Sequence, residues 1–191
     1  MKNIKGLTLI EVLITILIIS ILAGVAGPSF LRSFETRKLV SATEQLYSNL
    51  QLARSESLAR SSNIYVRLTG SGSNSWRYGI SETSNCDPSL SNSNDAACYL
   101  VVDDGDGNIV AGDDHVLHTT DGADHKDITI ALDFPDMVNE EITFNPMNGT
   151  SSLSGSFVLT NSLGDTATVK LSKLGTAKIC SNDIGGYKNC S

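Results

Sequence analysis

The chain begins with a long apolar stretch. From Leu7 to Phe30, 24 residues, the only charged residue is Glu11. As an α-helix these residues extend about 36 Å, enough to cross the roughly 30 Å hydrocarbon core of a bilayer. Lys2 and Lys5 precede the stretch and place the N-terminus in the cytoplasm, with the rest of the chain crossing outward.

The same helical period continues after Pro28. Apolar residues recur there at steps of three and four, and no glycine or proline interrupts residues 31–61. We therefore predict one helix over residues 7–61, apolar on all sides in its first half and amphipathic in its second. A kink is expected near Gly27 and Pro28, because proline removes a backbone hydrogen bond. The apolar positions of the second half are Leu39, Ala42, Leu46, Leu50 and Ala53.

Downstream of this helix the hydrophobic period changes from 3.6 to 2, which indicates short strands separated by turn residues. A helix followed by strands predicts an α+β fold, with antiparallel sheet packed against the amphipathic half of the helix. The predicted strands are residues 63–69, 76–81, 98–103, 115–119, 127–133, 141–146, 154–161, 166–172 and 176–180.

The chain has 191 residues, a length that suits one membrane-anchored domain. Its charged residues are unevenly distributed. Residues 62–191 carry seven Lys or Arg against seventeen Asp or Glu, a net charge of −10. This acidic balance argues against broad nucleic-acid affinity, which requires clustered cations. Residues 170–188 are a local exception, because their only acidic residue is Asp183 and they contain four lysines: Lys170, Lys173, Lys178 and Lys188.

The four cysteines form two sequence-local pairs, Cys86 with Cys98 and Cys180 with Cys190, each enclosing a polar spacer. In an oxidising compartment this pattern predicts two small disulfide-closed loops. A zinc site is the alternative, but the spacings are too wide for paired-cysteine knuckles and the histidines lie elsewhere.

An ordinary secretory signal is the alternative for the apolar stretch, with small residues at 24–26 as a cleavage site. The stretch is longer than such signals, and Glu11 would be a handicap within one. A carboxylate inside a membrane costs about 2.5–3.5 kcal/mol, whereas complementing the helix dipole returns only about 0.3–1 kcal/mol. Glu11 therefore requires a further partner.

Other candidate chemistry is weak. The acidic segment 103–114 supplies the first carboxylate and amide ligands of a calcium loop, but Ile109 and His115 occupy positions where such a loop needs glycine and glutamate. An acidic turn is the preferred interpretation. The three histidines lack a zinc-binding arrangement, and no nucleophile elbow or phosphate-binding loop occurs. We expect no metal site, no cofactor and no enzymatic activity.

The N-terminal sequence KGLTLIEVLITILIISILAGVAGP resembles the start of a type IV prepilin, in which Gly-Phe-Thr-Leu-Ile-Glu is the usual pattern; Leu7 replaces the phenylalanine. The positions of Glu11 and Pro28 fit that pattern. The resemblance implies that a prepilin peptidase cleaves between Gly6 and Leu7 and that the new N-terminus at Leu7 is methylated. Glu11 would then accept a charge-assisted hydrogen bond from the amino group of a neighbouring subunit's Leu7 in a filament core.

Residues 46–68, 101–117 and 142–180 are similar to minor pilins of the GspH/FimT/FimU group. This resemblance implies a pilin fold in three parts: a cleaved leader (1–6), a transmembrane and filament-core helix half (7–34), and a periplasmic globular domain (35–191). It implies a single-pass inner-membrane subunit that joins other minor and major pilins on a pilus assembly platform, in the priming or tip complex.

Two alternatives stay open within this group. A minor pseudopilin of a type II secretion system would have the same signal and fold. DNA binding during natural transformation occurs in the FimT branch, which carries a Gly-Arg-x-Arg motif. Here the corresponding residues are Gly175-Thr176-Ala177-Lys178, so only a residual patch of Lys170, Lys173, Lys178 and Lys188 would contact phosphates. We therefore rank assembly above DNA binding.

Overall fold

A computed structural model describes residues 8–103, 105 and 113–190. The chain divides into two compact units, Met1–Glu35 and Thr36–Ser191. In the first unit the described residues are helical from Leu9 onward. The second unit contains the remainder of that helix and every strand that the described residues form.

The predicted long helix is present as α1, Leu9–Arg60. Thr8 precedes its first residue, and the Thr8 hydroxyl accepts a hydrogen bond from the Glu11 amide at 3.4 Å, as an N-cap residue does. The helix ends before Ser61, whose φ of 52° lies in the left-handed region typical of helix C-termini. The helix is continuous through Pro28, and the expected kink there stays a prediction.

Among the described residues of the second unit, the strands form three antiparallel sheets rather than one. The first sheet has the order β5–β2–β1–β7, the second has the order β10–β9–β8–β6, and β3 pairs with β4 alone. The bounds are β1 Ile64–Thr69, β2 Arg77–Ser81, β3 Tyr99–Val101, β4 His115–Leu117, β5 Thr119–Asp121, β6 Thr129–Asp133, β7 Glu141–Phe144, β8 Gly155–Thr160, β9 Thr166–Leu171 and β10 Ala177–Cys180, with a short 3₁₀ helix at Gly122–His125.

One predicted strand, residues 115–119, is divided at His118. The amide of His118 donates to the Cys98 carbonyl at 3.4 Å, while its own carbonyl accepts from the Ile80 amide at 2.9 Å. The chain therefore leaves β3 at this residue and joins β2. Alternation of apolar and polar residues continues through such a change of partner, so the sequence pattern does not show it.

The core of the second unit lies between α1 and the two four-stranded sheets. The predicted apolar face of the helix is confirmed, because its five positions are at most 3% exposed. They belong to a single cluster with the inward-facing residues of both sheets. The largest fully buried partners are Trp76, Tyr78, Phe144 and Phe157.

Two disulfides hold the irregular segments, Cys86–Cys98 and Cys180–Cys190. The first packs against β2, where a Cβ atom on Gly79 would come within 2.4 Å of the Cβ atom of Cys98, so only glycine fits. The second draws the C-terminal segment alongside β10, and the Ser181 amide donates to the Lys188 carbonyl at 2.9 Å.

Two turns, each containing a glycine, are in close contact near the C-terminal end of α1. Gly175, in the turn between β9 and β10, has a φ of +73°, and a Cβ atom there would lie 1.9 Å from the Gly149 carbonyl oxygen. Arg54 donates to the same oxygen from Nε at 3.1 Å. This close approach joins the second sheet to the helix and the β7–β8 connection.

We expect Gly175→Ala to destabilise the second unit by at least about 3 kcal/mol, because a strained left-handed conformation adds to a backbone clash. Gly164→Ala is the matched control: its φ is +85° but nothing lies within 4 Å of the new Cβ atom, so only about 1–2 kcal/mol is lost. Denaturant titration of the full chain, followed by the fluorescence of Trp76, measures both. Equal losses would contradict the steric argument.

Candidate functional site

The first candidate site is the start of α1. Among the described residues of the first unit, α1 exposes fourteen large apolar side chains, each between 43% and 80% exposed. They are Leu9, Ile10, Val12, Leu13, Ile14, Ile16, Leu17, Ile18, Ile19, Ile21, Leu22, Phe30, Leu31 and Phe34. A helix that is apolar on all sides requires an apolar environment, either lipid or other helices.

Glu11 lies in the first turn of this helix, with its side chain exposed among apolar neighbours. Its amide is directed to the Thr8 hydroxyl and to the Thr8 carbonyl, at 3.4 and 3.1 Å. Thr8 and Glu11 have the Thr-x-x-Glu spacing of a capping box, a signal in the sequence from which Thr8 could have been identified.

The predicted cleavage site, Gly6 and Leu7, lies outside the described residues. Pro28 lies within α1. In the part of the chain that the structure describes, no helix reaches the combined length and hydropathy that a membrane span requires.

The second candidate site is the lysine group. Lys170 on β9 and Lys178 on β10 are directly paired across the two strands, and Lys188 lies beside β10 through its backbone. All three line one cavity of about 200 Å³. Lys173 lies in the turn beyond β9, where its ammonium donates to the Ser152 carbonyl at 3.4 Å. The structure thus brings three of the four predicted lysines together and places the fourth elsewhere.

A larger cavity of about 470 Å³ adjoins the first, and both are lined by Lys178, Ile179 and Lys188. Its remaining lining residues are Tyr47, Ala177, Gly186 and Tyr187. We call the two cavities together the lysine cleft. The lining of the cleft combines apolar and aromatic residues with lysines. The contribution of Tyr47 and Tyr187 was missed from the sequence, because they are 140 residues apart and only the fold brings them together.

The C-terminal segment is clamped to α1 beside the lysine cleft. The Tyr187 hydroxyl donates to the Glu44 carboxylate at 2.6 Å. Partial burial of the phenol, together with the hydrogen bond to Glu44 and the negative charge of Glu44, raises the pKa of Tyr187 to about 12. The neutral phenol, and with it the clamp, is favoured below that pH.

The acidic segment 103–114 lies largely outside the described residues, so its predicted turn is not described. Two of the histidines, His115 and His125, stack on aromatic rings. His115 stacks on Tyr99 with ring centroids 3.6 Å apart, and His125 stacks on Trp76 at 5.9 Å. Within residues 8–103 and 113–190, no three His, Cys, Asp or Glu side chains gather as a metal site.

A single long N-terminal helix, with an exposed apolar half and an amphipathic half covered by antiparallel sheet, defines a pilin-like subunit. Comparison with protein families agrees: residues 42–175 match the type II transport protein GspH, and residues 1–27 match the prokaryotic N-terminal methylation motif. The chain belongs to the GspH family of minor pilins and pseudopilins. The predicted membership of this group and the predicted α+β pilin fold are confirmed.

A search of solved structures finds the type IV minor pilin FimU of Pseudomonas aeruginosa strain PAO1. It is 21% identical, with a TM-score of 0.45, over 74% of this chain and 91% of that chain. No curated protein matches the chain.

We expect Glu44→Gln to lower the pKa of Tyr187 from about 12 toward its ordinary value of 10.0, because the carboxylate no longer opposes formation of the phenolate. Stability from the clamp is fully present below pH 10 and is lost as pH rises toward 12. NMR titration of ¹³C-labelled tyrosine, assigned with Tyr187→Phe, measures the midpoint. Glu56→Gln, on the same helix but paired with Arg60, is the control and should leave the midpoint unchanged; a shift there would contradict the assignment.

Proposed function

We propose that this chain is a minor pilin that assembles into a type IV pilus through its N-terminal helix. The observation that carries the proposal is the exposed apolar surface of the first unit, most of which lies within the matched methylation motif, residues 1–27. Fourteen exposed apolar side chains on one helix need lipid before assembly and other helices after it. Residues 7–34 would provide this segment, and residues 35–191 the periplasmic domain.

Processing comes first in this proposal. A prepilin peptidase cleaves between Gly6 and Leu7 on the cytoplasmic side of the inner membrane and methylates the amino group of Leu7. Cleavage there removes the leader, including Lys2 and Lys5, and keeps the whole apolar helix attached. The subunit then stays in the inner membrane as a single-pass protein until the assembly platform extracts it.

Glu11 gives the assembly its register. In a filament core of packed apolar helices, its carboxylate accepts a hydrogen bond from the amino group of a neighbouring subunit's Leu7. Pairing the two charges offsets the cost of burying each one, and a misplaced helix would leave both unpaired. The partners are other minor and major pilins, and we place this subunit in the priming or tip complex.

A minor pseudopilin of a type II secretion system is the second candidate. The observation that favours it is the family description, a type II transport protein. Both assemblies would use the same helix, cleavage site and glutamate. DNA binding ranks below both, because only three lysines gather, in a region whose net charge is −10. Three phosphate contacts predict a log–log salt slope of only about −2.7.

We expect intact-mass measurement of the membrane-extracted chain to give a mature protein that begins at methylated Leu7. The physical reason is that the apolar helix has to remain on the chain for anchoring and assembly. A mature chain that begins at Gly27 would indicate an ordinary secretory signal and would contradict the proposal.

We expect Glu11→Ala to leave folding and membrane insertion intact but to lower incorporation into sheared filaments about tenfold or more. A hydrogen bond to a charged group contributes roughly 1.5–3 kcal/mol, and 1.4 kcal/mol is a factor of ten. Immunoblots of the membrane and filament fractions measure the ratio.

Thr15→Ala is the matched control for Glu11→Ala, because the Thr15 hydroxyl already donates to the Val12 carbonyl of its own helix at 2.8 Å. This control should incorporate as the unsubstituted chain does. Unchanged incorporation of Glu11→Ala, or its loss from the membrane fraction, would argue against the pairing role.

A further inference from the structure

We propose that a partner pilin of a different kind adds an extended segment, as one more strand, to the open edge of this chain. The open edge is the outer side of residues 116–120, where β4 continues into β5. The segment that fits it has apolar side chains in its centre and lysine or arginine at both ends. This inference rests on the proposed assembly role and deepens it, since it states which surface meets another subunit.

β4 and β5 follow one another as a single edge strand. The His118 amide donates to the Cys98 carbonyl and the His118 carbonyl accepts from the Ile80 amide, so both groups face inward. In an antiparallel ladder the two backbone groups of one residue point to one side, and those of its neighbours point to the other. The backbone groups of Leu117 and Thr119 therefore point outward. In the described part of the chain they have no hydrogen-bond partner.

The outer sides of other edge strands are covered by segments of the same chain. Along β7, the Thr143 carbonyl accepts from the Ser152 amide at 2.8 Å. Along β6, the Ile130 carbonyl accepts from the Gly72 amide at 2.8 Å. The edge of β10 lies beside the disulfide-bound C-terminal segment. Because covered edges prevent pairing with other chains, an edge that stays open is a candidate for pairing with a specific partner.

The outer side of β3, the strand paired with β4, is covered by side chains. The Val101 amide donates to the Glu82 carboxylate at 3.4 Å, and the Val101 carbonyl accepts from the Arg60 guanidinium at 2.6 Å. Arg60 also pairs with Glu82 at 2.7 Å. This ion pair closes one side of the two-stranded sheet, so a further strand can be added only on the side of β4 and β5.

The side chains of the open edge favour an apolar partner. Val116 and Leu117 are 41% and 37% exposed, although both belong to β4. Because successive side chains of a strand point to opposite faces, an added strand with apolar residues at its centre would cover both. Thr119 is exposed as well, and its β-branched side chain suits an extended backbone.

Charge at the two ends of the open edge favours a cationic partner. Two aspartates precede the edge and two follow it: Asp113, Asp114, Asp121 and Asp124. Asp121 is paired with Arg77 at 2.6 Å, whereas Asp113 and Asp124 are exposed. Residues 113–124 contain no Lys or Arg. A segment with Lys or Arg at both ends would place opposite charges at both ends of the pairing.

The same charges disfavour pairing between two copies of this chain. In a parallel or an antiparallel pairing of two such edges, an acidic end of one copy would lie opposite an acidic end of the other. Like charges directly opposite each other are destabilising. The contact is therefore one with a different subunit, as suits a minor subunit placed among other pilins.

The first test uses the full chain in detergent and a short synthetic peptide of alternating valine and threonine with lysine at both ends. By fluorescence anisotropy we expect this peptide to bind about tenfold more tightly than one with glutamate at both ends, because each end changes from attraction to repulsion. Asp113→Lys together with Asp124→Lys should reverse the preference. Asp133→Lys together with Asp136→Lys, at exposed positions outside the open edge, is the matched control and should leave the preference unchanged.

Thr119→Pro tests the backbone pairing. Proline removes the outward N–H without breaking an inner ladder bond, and edge strands tolerate it at such positions. We expect peptide binding to weaken about fivefold or more, whereas Thr119→Val, which keeps the amide, should bind as the unsubstituted chain does. The fluorescence of Trp76 checks that both variants are folded. N-methylation of the peptide's valine and threonine amides should weaken binding equally, and this arm leaves the protein unchanged.

Photo-cross-linking in the membrane of pilus-bearing cells tests the partner. With Leu117 replaced by p-benzoylphenylalanine, we expect mass spectrometry to find a link to another pilin, within an apolar segment that has Lys or Arg at both ends. Adding Thr119→Pro should lower the yield. Met147 is 89% exposed and follows β7, the opposite edge strand of the sheet that contains β5. The same photoreactive residue at Met147 is the control and should give no link to that segment.

Three results would overturn the contact. They are a cross-link from the open edge to a second copy of this chain or to a protein that is not a pilin, equal binding of the peptides with lysine and glutamate ends, and binding that survives N-methylation of the peptide. If the chain enters filaments while the open edge stays unlinked, this inference is wrong and the assembly role stands. If the unsubstituted chain enters no filament, the assembly role is wrong and the inference falls with it.

Discussion

Burial of one face of α1 beneath two sheets is the interaction on which the rest of the globular unit depends. Leu39, Leu46 and Leu50 are at most 1% exposed and belong to the same cluster as the inner residues of both sheets. Burying three leucines contributes roughly 5–9 kcal/mol before entropic costs, comparable to the net stability of a whole domain. The polar clamps to α1, from Tyr187 to Glu44 and from Arg54 to the Gly149 carbonyl, connect surface segments to this buried centre.

A single helix therefore serves two different environments. Its later half is stabilised by side chains of its own chain, whereas its first half exposes apolar surface that only lipid or other subunits can cover. The division between the two units follows Glu35. Because the globular core is complete without the first half, that half is available for contacts with other molecules. In the proposed assembly, Glu11 would supply the polar specificity that apolar packing alone lacks.

Sequence patterns predicted the elements well because periodicity reports which side of an element is buried. The helical face at Leu39 to Ala53 and the positions of the strands follow directly from periods of 3.6 and 2. The division into separate sheets could not be predicted in this way. At His118 the chain changes partner strand while its alternation continues, and the choice of partner depends on contacts distant in sequence.

The candidate sites show the same limit. The N-terminal methylation motif is local and matches residues 1–27, so the sequence alone could propose Gly6, Leu7 and Glu11, whose roles stay predictions. The lysine group was predicted from proximity in sequence, and so it included Lys173, which the β9–β10 turn carries away from the cleft. Tyr47 was missed because its part in the cleft depends on where the C-terminal segment lies relative to α1.

The position of the C-terminal segment beside β10 has a consequence for where the protein can fold. An edge strand with free backbone groups invites pairing with other chains. Here the Cys180–Cys190 bond and the bridge between Cys180 and Lys188 place part of that segment over the edge. In the reducing cytoplasm the bond does not form, and the segment would be held there by its weaker contacts alone. In an oxidising compartment the disulfide would form as the domain folds, and the C-terminal segment would then cover the edge of β10. Newly folded chains could then not pair through the backbone of this strand.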